Sequence, residues 1–428
     1  MKYKPISKTL FEHNRAKFSA QLNTKSLAIF CSNDQMPTNA DGTMPFKQNS
    51  DLFWLSGIDQ EESKLIIFPE CSKPEHREIL FLKETSDLIA IWEGMKLSKD
   101  EAFKTSGIRT VYWNSEFEKI FQELVVEAKF IYLNSNDHSR SNTLVETQTD
   151  RFNNWCKSKF SKKNYLKSAP FMHDLRSIKH RIEVDLLQKA CNITESGFRR
   201  VLNFVKPGVK EYEIEAEYMH EFLINRSRGF AYEPIIASGK SACILHYTDN
   251  NNVCKDGDVI LMDVGAEYAN FASDMTRCIP VNGRFTKRQK DVYNAVLSVM
   301  KQASSMLKPG VILKEYHKEV GLIMQSKLID LGLIDQHDID KQDQDSPAYK
   351  KSFMHGPSHF LGLDVHDVGH FNKPIREGMV FTCEPGIYIL NEKLGIRLEN
   401  DFLITNDKPF DMMANIPLEA DEIEDLMN

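Results

Sequence analysis

The stretch Asp258–Val281, DVILMDVGAEYANFASDMTRCIPV, reads as two apolar strands around a turn, with one aspartate on each strand, Asp263 and Asp274. If the chain turns between Tyr268 and Ala269, the two aspartates fall directly opposite one another, where cross-strand Cβ atoms stand about 4.5 to 5.5 Å apart. Ile260, Leu261, Met262 and Val264 mark the strand as buried. Two buried carboxylates that close ionise together only around a cation. A lone aspartate in a strand more often caps a turn or faces water, so it is the pairing that argues for a metal.

A second segment of the same design, GMVFTCEPGIYILNEKLGIRLENDFLIT, spans residues 378–405. Glu384 and Glu399 are symmetric about a midpoint between Asn391 and Glu392, inside the turn-like LNEKLG, so they too are expected to face each other. Arg397 alternates with Glu399 and shares its face, as a donor that could orient a ligand carboxylate. His246, His355, His359, His366 and His370 lie in the segments that bracket the two hairpins. In HGPSH the pair His355 and His359 is four residues apart, but Gly356 and Pro357 break a helix, so a turn aims the two rings differently.

Upstream of each hairpin stands a helix, then KPGV, then another helix. The first unit has Ile182, Leu186, Ala190 and Ile193 at helical spacing, KPGV at 206–209 and EYEIEAEYMHEFLI. The second opens on a Thr286/Gln289 capping box, carries Val292, Val296, Val299, Ala303 and Met306, and repeats KPGV at 308–311. This repeat predicts two related halves whose carboxylate pairs face one another across an approximate twofold, a site for two hard or borderline divalent cations. The polar run DQHDIDKQDQDSPAYKK reads as a solvated insertion.

The N-terminal part differs. SLAIFCS, KLIIFP, EILFLKE and RTVYW read as strands and FEKIFQELVVEAK as a helix, an α/β pattern that thins after Asn134. We place domains at 1–172 and 173–428, since 428 residues exceed one core. A net charge of -7 offers no basic field for nucleic acid. No run approaches a membrane span, and the first twenty residues lack a signal-peptide core, which together predict a cytoplasmic protein. Eight scattered cysteines without a CxxC pair read as buried free thiols.

Taken together, CILHYTDN, LMDVGAEYANFASDMTR, HGPSHFLGLDVHDVG, EPGIY and RLEND resemble aminopeptidase P, and MPFKQNSDLFWLSGIDQEESKLIIFP is similar to that family's non-catalytic N-terminal domain. The resemblance covers essentially the whole chain. It implies an α+β protein: a C-terminal pita-bread fold, a pseudo-twofold antiparallel sheet flanked by helices, after a smaller α/β creatinase-like domain concerned with oligomerisation and substrate length. It implies metal ligands Asp263, Asp274, His359, Glu384 and Glu399, with Asp274 and Glu399 bridging two divalent ions, most commonly Mn2+, that share a hydroxide. Glu384 would move the proton, His246, His355 and His366 would bind the substrate carbonyl and oxyanion, and Arg397 would hold a bridging carboxylate. The implied partners are peptides with proline in second position and further copies of the chain, as dimer or tetramer. Alternatives remain: a dipeptide-specific prolidase, a methionine aminopeptidase, a metal-free creatinase-like hydrolase, and a non-enzymatic pita-bread binding module.

Overall fold

The computed structural model describes residues 3–138, 140–141, 143–343 and 346–428. The backbone divides into two compact units, Pro5–Arg176 and Ser177–Asn428, and Tyr3 and Lys4 belong to the second.

The 5–176 unit holds one six-stranded mixed sheet, β1 (Ser26–Cys31), β2 (Lys64–Ile67), β3 (Glu78–Leu82), β4 (Thr110–Trp113), β5 (Phe130–Leu133) and β6 (Asn164–Lys167), in spatial order β4-β3-β2-β1-β5-β6. The four apolar runs of the sequence form β1 to β4. β5 and β6 extend the sheet by parallel pairing on β1. Its helices are α1 (Lys8–Ser19), α2 (Ser50–Ser56), α3 (Asp87–Glu93), α4 (Lys99–Ser106), α5 (Phe117–Glu127), α6 (Gln148–Lys159) and α7 (Ala169–Ser177), the last of which ends at the division. Phe117, Ile120, Phe121 and Leu124 make the apolar stripe of α5 and bury against Ile29, Ile66, Ile79 and Phe81 of the sheet.

In the 177–428 unit the helix–KPGV–helix repeat is present as α8 (Arg181–Phe204) and α9 (Glu211–Ile224), then α10 (Lys287–Met306) and α11 (Leu313–Asp330). Both KPGV turns latch onto the chain the same way. The Gly208 N–H donates to Cys254 O and the Cys254 N–H to Val209 O; the Gly310 N–H donates to Ile375 O and the Ile375 N–H to Val311 O. Gly208 and Gly310 sit at φ 99° and 92°, which favours glycine in both. Each latch leads into a hairpin strand, β8 (Val259–Val264) after the first and β12 (Val380–Cys383) after the second.

The first half pairs β7 (Ile235–Ser238), β8 and β11 (Met275–Pro280), with the small ladder β9 (Glu267–Tyr268) and β10 (Phe271–Ala272) at the hairpin tip. The second half pairs β12 with β15 (Asn400–Leu403) and β16 (Phe410–Asp411), and β13 (Gly386–Ile389) with β14 (Leu394–Arg397). The halves join where the Glu399 N–H donates to Thr276 O. Arg277, fully buried, fastens that seam by donating to Pro417 O, Thr276 O, Glu399 O and Asn400 Oδ1. Lys4 donates its N–H to the Tyr268 hydroxyl at 3.3 Å, and the Tyr3 ring meets Tyr268 edge-on at 6.3 Å.

The polar insertion carries α12 (Gln336–Asp340) and a 3-10 turn at Ala348–Lys351; residues 344–345 within it lie outside the described residues. The last helix is α13 (Ala420–Met427). All eight cysteines are free thiols, seven of them buried. Among the described residues no helix is long and apolar enough to cross a membrane.

Candidate metal centre

Asp263 and Asp274 come from one hairpin, but they do not face each other as the sequence suggests. The tip is a two-residue turn, Ala269 and Asn270, with φ 55° and 68°. That centres the ladder one residue later than expected, so Asp263 pairs with Thr276 and Met275 with Val264. The correction follows from turn chemistry: two left-handed residues close a tight hairpin whose twist suits the strands. The two aspartates remain on one face, staggered, and the Tyr232 hydroxyl joins them at 2.7 Å from Asp263 Oδ1 and 2.6 Å from Asp274 Oδ1. One hydroxyl proton serves only one of two carboxylates, so this contact is short of positive charge.

Glu384 and Glu399 do fall opposite one another. The register Cys383↔Asn400 and Gly386↔Arg397 runs through them without a slip. Glu399 Oε2 accepts the Thr276 hydroxyl at 2.6 Å, which ties it to the first hairpin. His359 completes the cluster. Its Nδ1 donates to Phe360 O at 3.0 Å, so Nε2 is the nitrogen that faces Asp274 Oδ2, 3.3 Å away, and Glu384 Oε1, 3.6 Å away. A backbone carbonyl on one imidazole nitrogen, with the other turned to a carboxylate cluster, is a posture that suits a ligand histidine. Ligand atoms of Asp274, His359 and Glu399 all lie within 4.8 Å of one another.

Arg397 is not where the resemblance puts it. Its guanidinium binds Asp263 rather than either expected bridging carboxylate, Asp274 or Glu399, and also donates to Thr276 Oγ1 at 3.0 Å and Tyr388 OH at 2.9 Å. The register explains this, because Thr276, opposite Asp263, lies at the seam beside Glu399 and brings the Arg397 fork onto the aspartate.

The charges fit a cation. Burial raises the carboxyls of Asp263 and Glu399, Asp274 repels both, and Glu384 is pushed up to about 7 by burial and the neighbouring aspartates. Burial opposes protonation of His359, yet Asp274 and Glu384 hold its imidazolium up to about 9. Without metal the site thus recruits protons to offset clustered negative charge. Four carboxylates and one imidazole form an oxygen-rich donor set that suits divalent ions with a hard or borderline character.

Around this cluster stand the other histidines. His355 donates Nδ1–H to Gly356 O at 2.9 Å and accepts the Tyr388 hydroxyl on Nε2 at 2.8 Å. Burial and the Arg397 charge push it down to about 3, so it is neutral. The His366 ring meets His359 edge-on at 4.5 Å. His246 is exposed and near enough for its charge to act on His355. Its loop is clasped by fully buried Glu211, which accepts Ser238 N–H, Ser238 OH, Tyr247 OH and Asn252 N–H at 2.7 to 2.8 Å. His370 lies further along, in a turn where its carbonyl accepts the Lys373 N–H. Tyr232, Thr276, Tyr388 and Asp401 were missed in the sequence. Asp401 accepts the Asp274 N–H at 3.0 Å, and its alternation with Arg397 and Glu399 was a readable signal. For Tyr232, far upstream, there was none.

Residues 185–406 match metallopeptidase family M24, and residues 11–132 match the aminopeptidase P N-terminal domain. Xaa-Pro aminopeptidase of Haemophilus influenzae is 33% identical, over 99% of this chain and 98% of the relative. The Escherichia coli enzyme of that name is 32% identical over the same shares. Escherichia coli aminopeptidase P, solved as a glutamate-to-alanine variant in complex with substrate, superposes with a TM-score of 0.89 at 31% identity, covering 99% of both chains. A zinc-substituted form of that protein in complex with product matches equally well.

Proposed function

This chain belongs to metallopeptidase family M24, a metal-dependent peptidase with a pita-bread catalytic unit and an aminopeptidase P N-terminal domain, and from that premise we propose that it releases the first residue of peptides whose second residue is proline. The observation that carries this reading is that ligand atoms of Asp274, His359 and Glu399 lie within 4.8 Å of one another, with Glu384 3.6 Å from His359 and Asp263 joined to Asp274 through the Tyr232 hydroxyl. These five residues would hold two divalent cations, Mn2+ by the family resemblance, which would supply Lewis acidity and a nucleophile at neutral pH.

The chain's own groups supply the rest. Glu384 takes a proton from attacking water and returns it to the proline nitrogen, which must leave as an amine. Arg397 and Tyr232 set the angle of Asp263. His355, neutral and locked between Gly356 O and Tyr388, presents an ordered ring beside Glu384, 3.6 Å away. His246 and His366, both exposed, would serve as donors to the substrate carbonyl and the tetrahedral oxyanion. The same resemblance supports a homo-oligomer built through the N-terminal domain, which would also limit peptide length.

The test is hydrolysis of matched peptides, Xaa-Pro, Xaa-Pro-Yaa and Xaa-Ala-Yaa, by manganese-loaded and chelated enzyme. Release of the first residue from Xaa-Pro-Yaa, and not from Xaa-Ala-Yaa, is expected. Cleavage of the dipeptide alone would make it a prolidase, and no metal-dependent cleavage would leave a binding module.

A further inference from the structure

Beneath the loop that carries His359 and His366 lies an ion pair that the reaction above does not use. Lys179 Nζ stands 2.9 Å from Asp367 Oδ2, with the two side chains 2% and 1% exposed. Both charges sit on fixed backbone. The Lys179 N–H donates to Gly378 O at 2.7 Å, at the entry to β12. The Asp367 N–H donates to Phe360 O at 2.9 Å, closing the loop on itself. The loop is tied to both hairpins, because the Leu361 N–H donates to Val380 O and Gly362 O accepts the Ala272 N–H. Gly362 leaves room for the pair: a Cβ there would stand 2.0 Å from Asp367 Oδ2 and 2.6 Å from Lys179 Nζ.

Desolvating a lysine and an aspartate is costly, and a well-packed apolar pair would stabilise the fold as well or better. What an ion pair gives that apolar packing does not is one distance and one direction. Asp367 follows His366 in the chain, and the His366 ring rests against His359. We propose that Lys179 and Asp367 are positioning residues, which fix where His366 stands relative to His359 and so make it ready for the substrate. This rests on the role given to His366 above.

The full-length, metal-loaded enzyme tests it. Asp367→Asn and Lys179→Met are each made alone and combined with His366→Ala, and kinetics on Xaa-Pro-Yaa are measured beside bound metal. Asp367→Asn should lower kcat about tenfold or more, with KM within about threefold and metal content unchanged. On His366→Ala it should cost no more than about twofold, because the two substitutions remove the same thing. A kcat within about twofold of the parent, or a loss of equal size on both backgrounds, would overturn the proposal. If Asp367→Asn does not fold, Gly362→Ala wedges the pair apart with both charges kept, and the same pattern is expected. Hydrogen exchange gives a readout free of turnover: Asp367→Asn should speed exchange within residues 361–370 and leave β8 and β12 as they were. Unchanged exchange there counts against positioning. A parent enzyme that cleaves no Xaa-Pro peptide would instead sink the functional reading.

Discussion

The two hairpins perform one task with different geometry. In the second, a longer turn closed by left-handed Lys393 keeps Glu384 directly across from Glu399. In the first, the tight Ala269-Asn270 turn shifts the ladder, and Asp263 meets Thr276 while Asp274 lies further toward the tip. The opposed glutamates need no intermediary, whereas the staggered aspartates converge through Tyr232 and lean on Arg397 from the other hairpin. Symmetry in the sequence repeat therefore becomes symmetry of the scaffold, and the ligands at its centre are set by turn residues.

The strongest challenge to that comparison is to remove one carboxylate from each hairpin. Asp274→Ala and Glu399→Ala are both expected to lose bound metal and on the order of a thousandfold in kcat, by elemental analysis and peptide hydrolysis. A variant that retains both ions and full activity would remove its hairpin from the site. Next in size is Arg397→Met, which leaves every proposed ligand in place but frees Asp263. Metal affinity by calorimetry should fall about 10-fold to 100-fold. An unchanged affinity would mean that Asp263 holds its angle unaided.

A third expectation concerns protons. In chelated protein Glu384 is raised from 4.5 to about 7 by burial, and Asp263 and Glu399 are raised as well. The folded chain then binds protons that the unfolded chain has released, so this contribution is full below about 4.5 and lost as pH rises through about 7. Chelated enzyme should melt at lower temperature at pH 8 than at pH 5, and added metal should flatten the difference. Greater stability of the chelated form at pH 8 would contradict the crowding of carboxylates.

The smallest effect tests the turns. Ala269 and Lys393 both hold left-handed φ, 55° and 54°, at a cost that glycine avoids. Ala269→Gly and Lys393→Gly should each stabilise by about 1 kcal/mol and raise Tm by about 2 to 4 °C, with metal binding unaltered. A change of metal affinity in one alone would show that its turn also tunes the ligands.

The pattern of apolar runs and the KPGV repeat made the two-unit α+β architecture legible, residue type and spacing nominated the four carboxylates, and only the family resemblance picked His359 out of the bracketing histidines. The register of the second hairpin was legible too, because Glu384 and Glu399 straddle an obvious turn. The first was misread by one residue of turn placement, since nothing in EYAN announces which pair will turn left-handed. Tyr232, Glu211 and the Lys179–Asp367 pair were invisible for another reason. Each contributes through a partner remote in sequence, across 31 residues for Tyr232 and Asp263 and 188 for the ion pair, and neither periodicity nor spacing carries that information.

Tyr3 and Lys4 both contact Tyr268. The tip they touch continues into the strands that hold Asp263 and Asp274, so Tyr3 and Lys4 pack against the hairpin that carries two of the proposed ligands and an exchange there would be felt at its tip first.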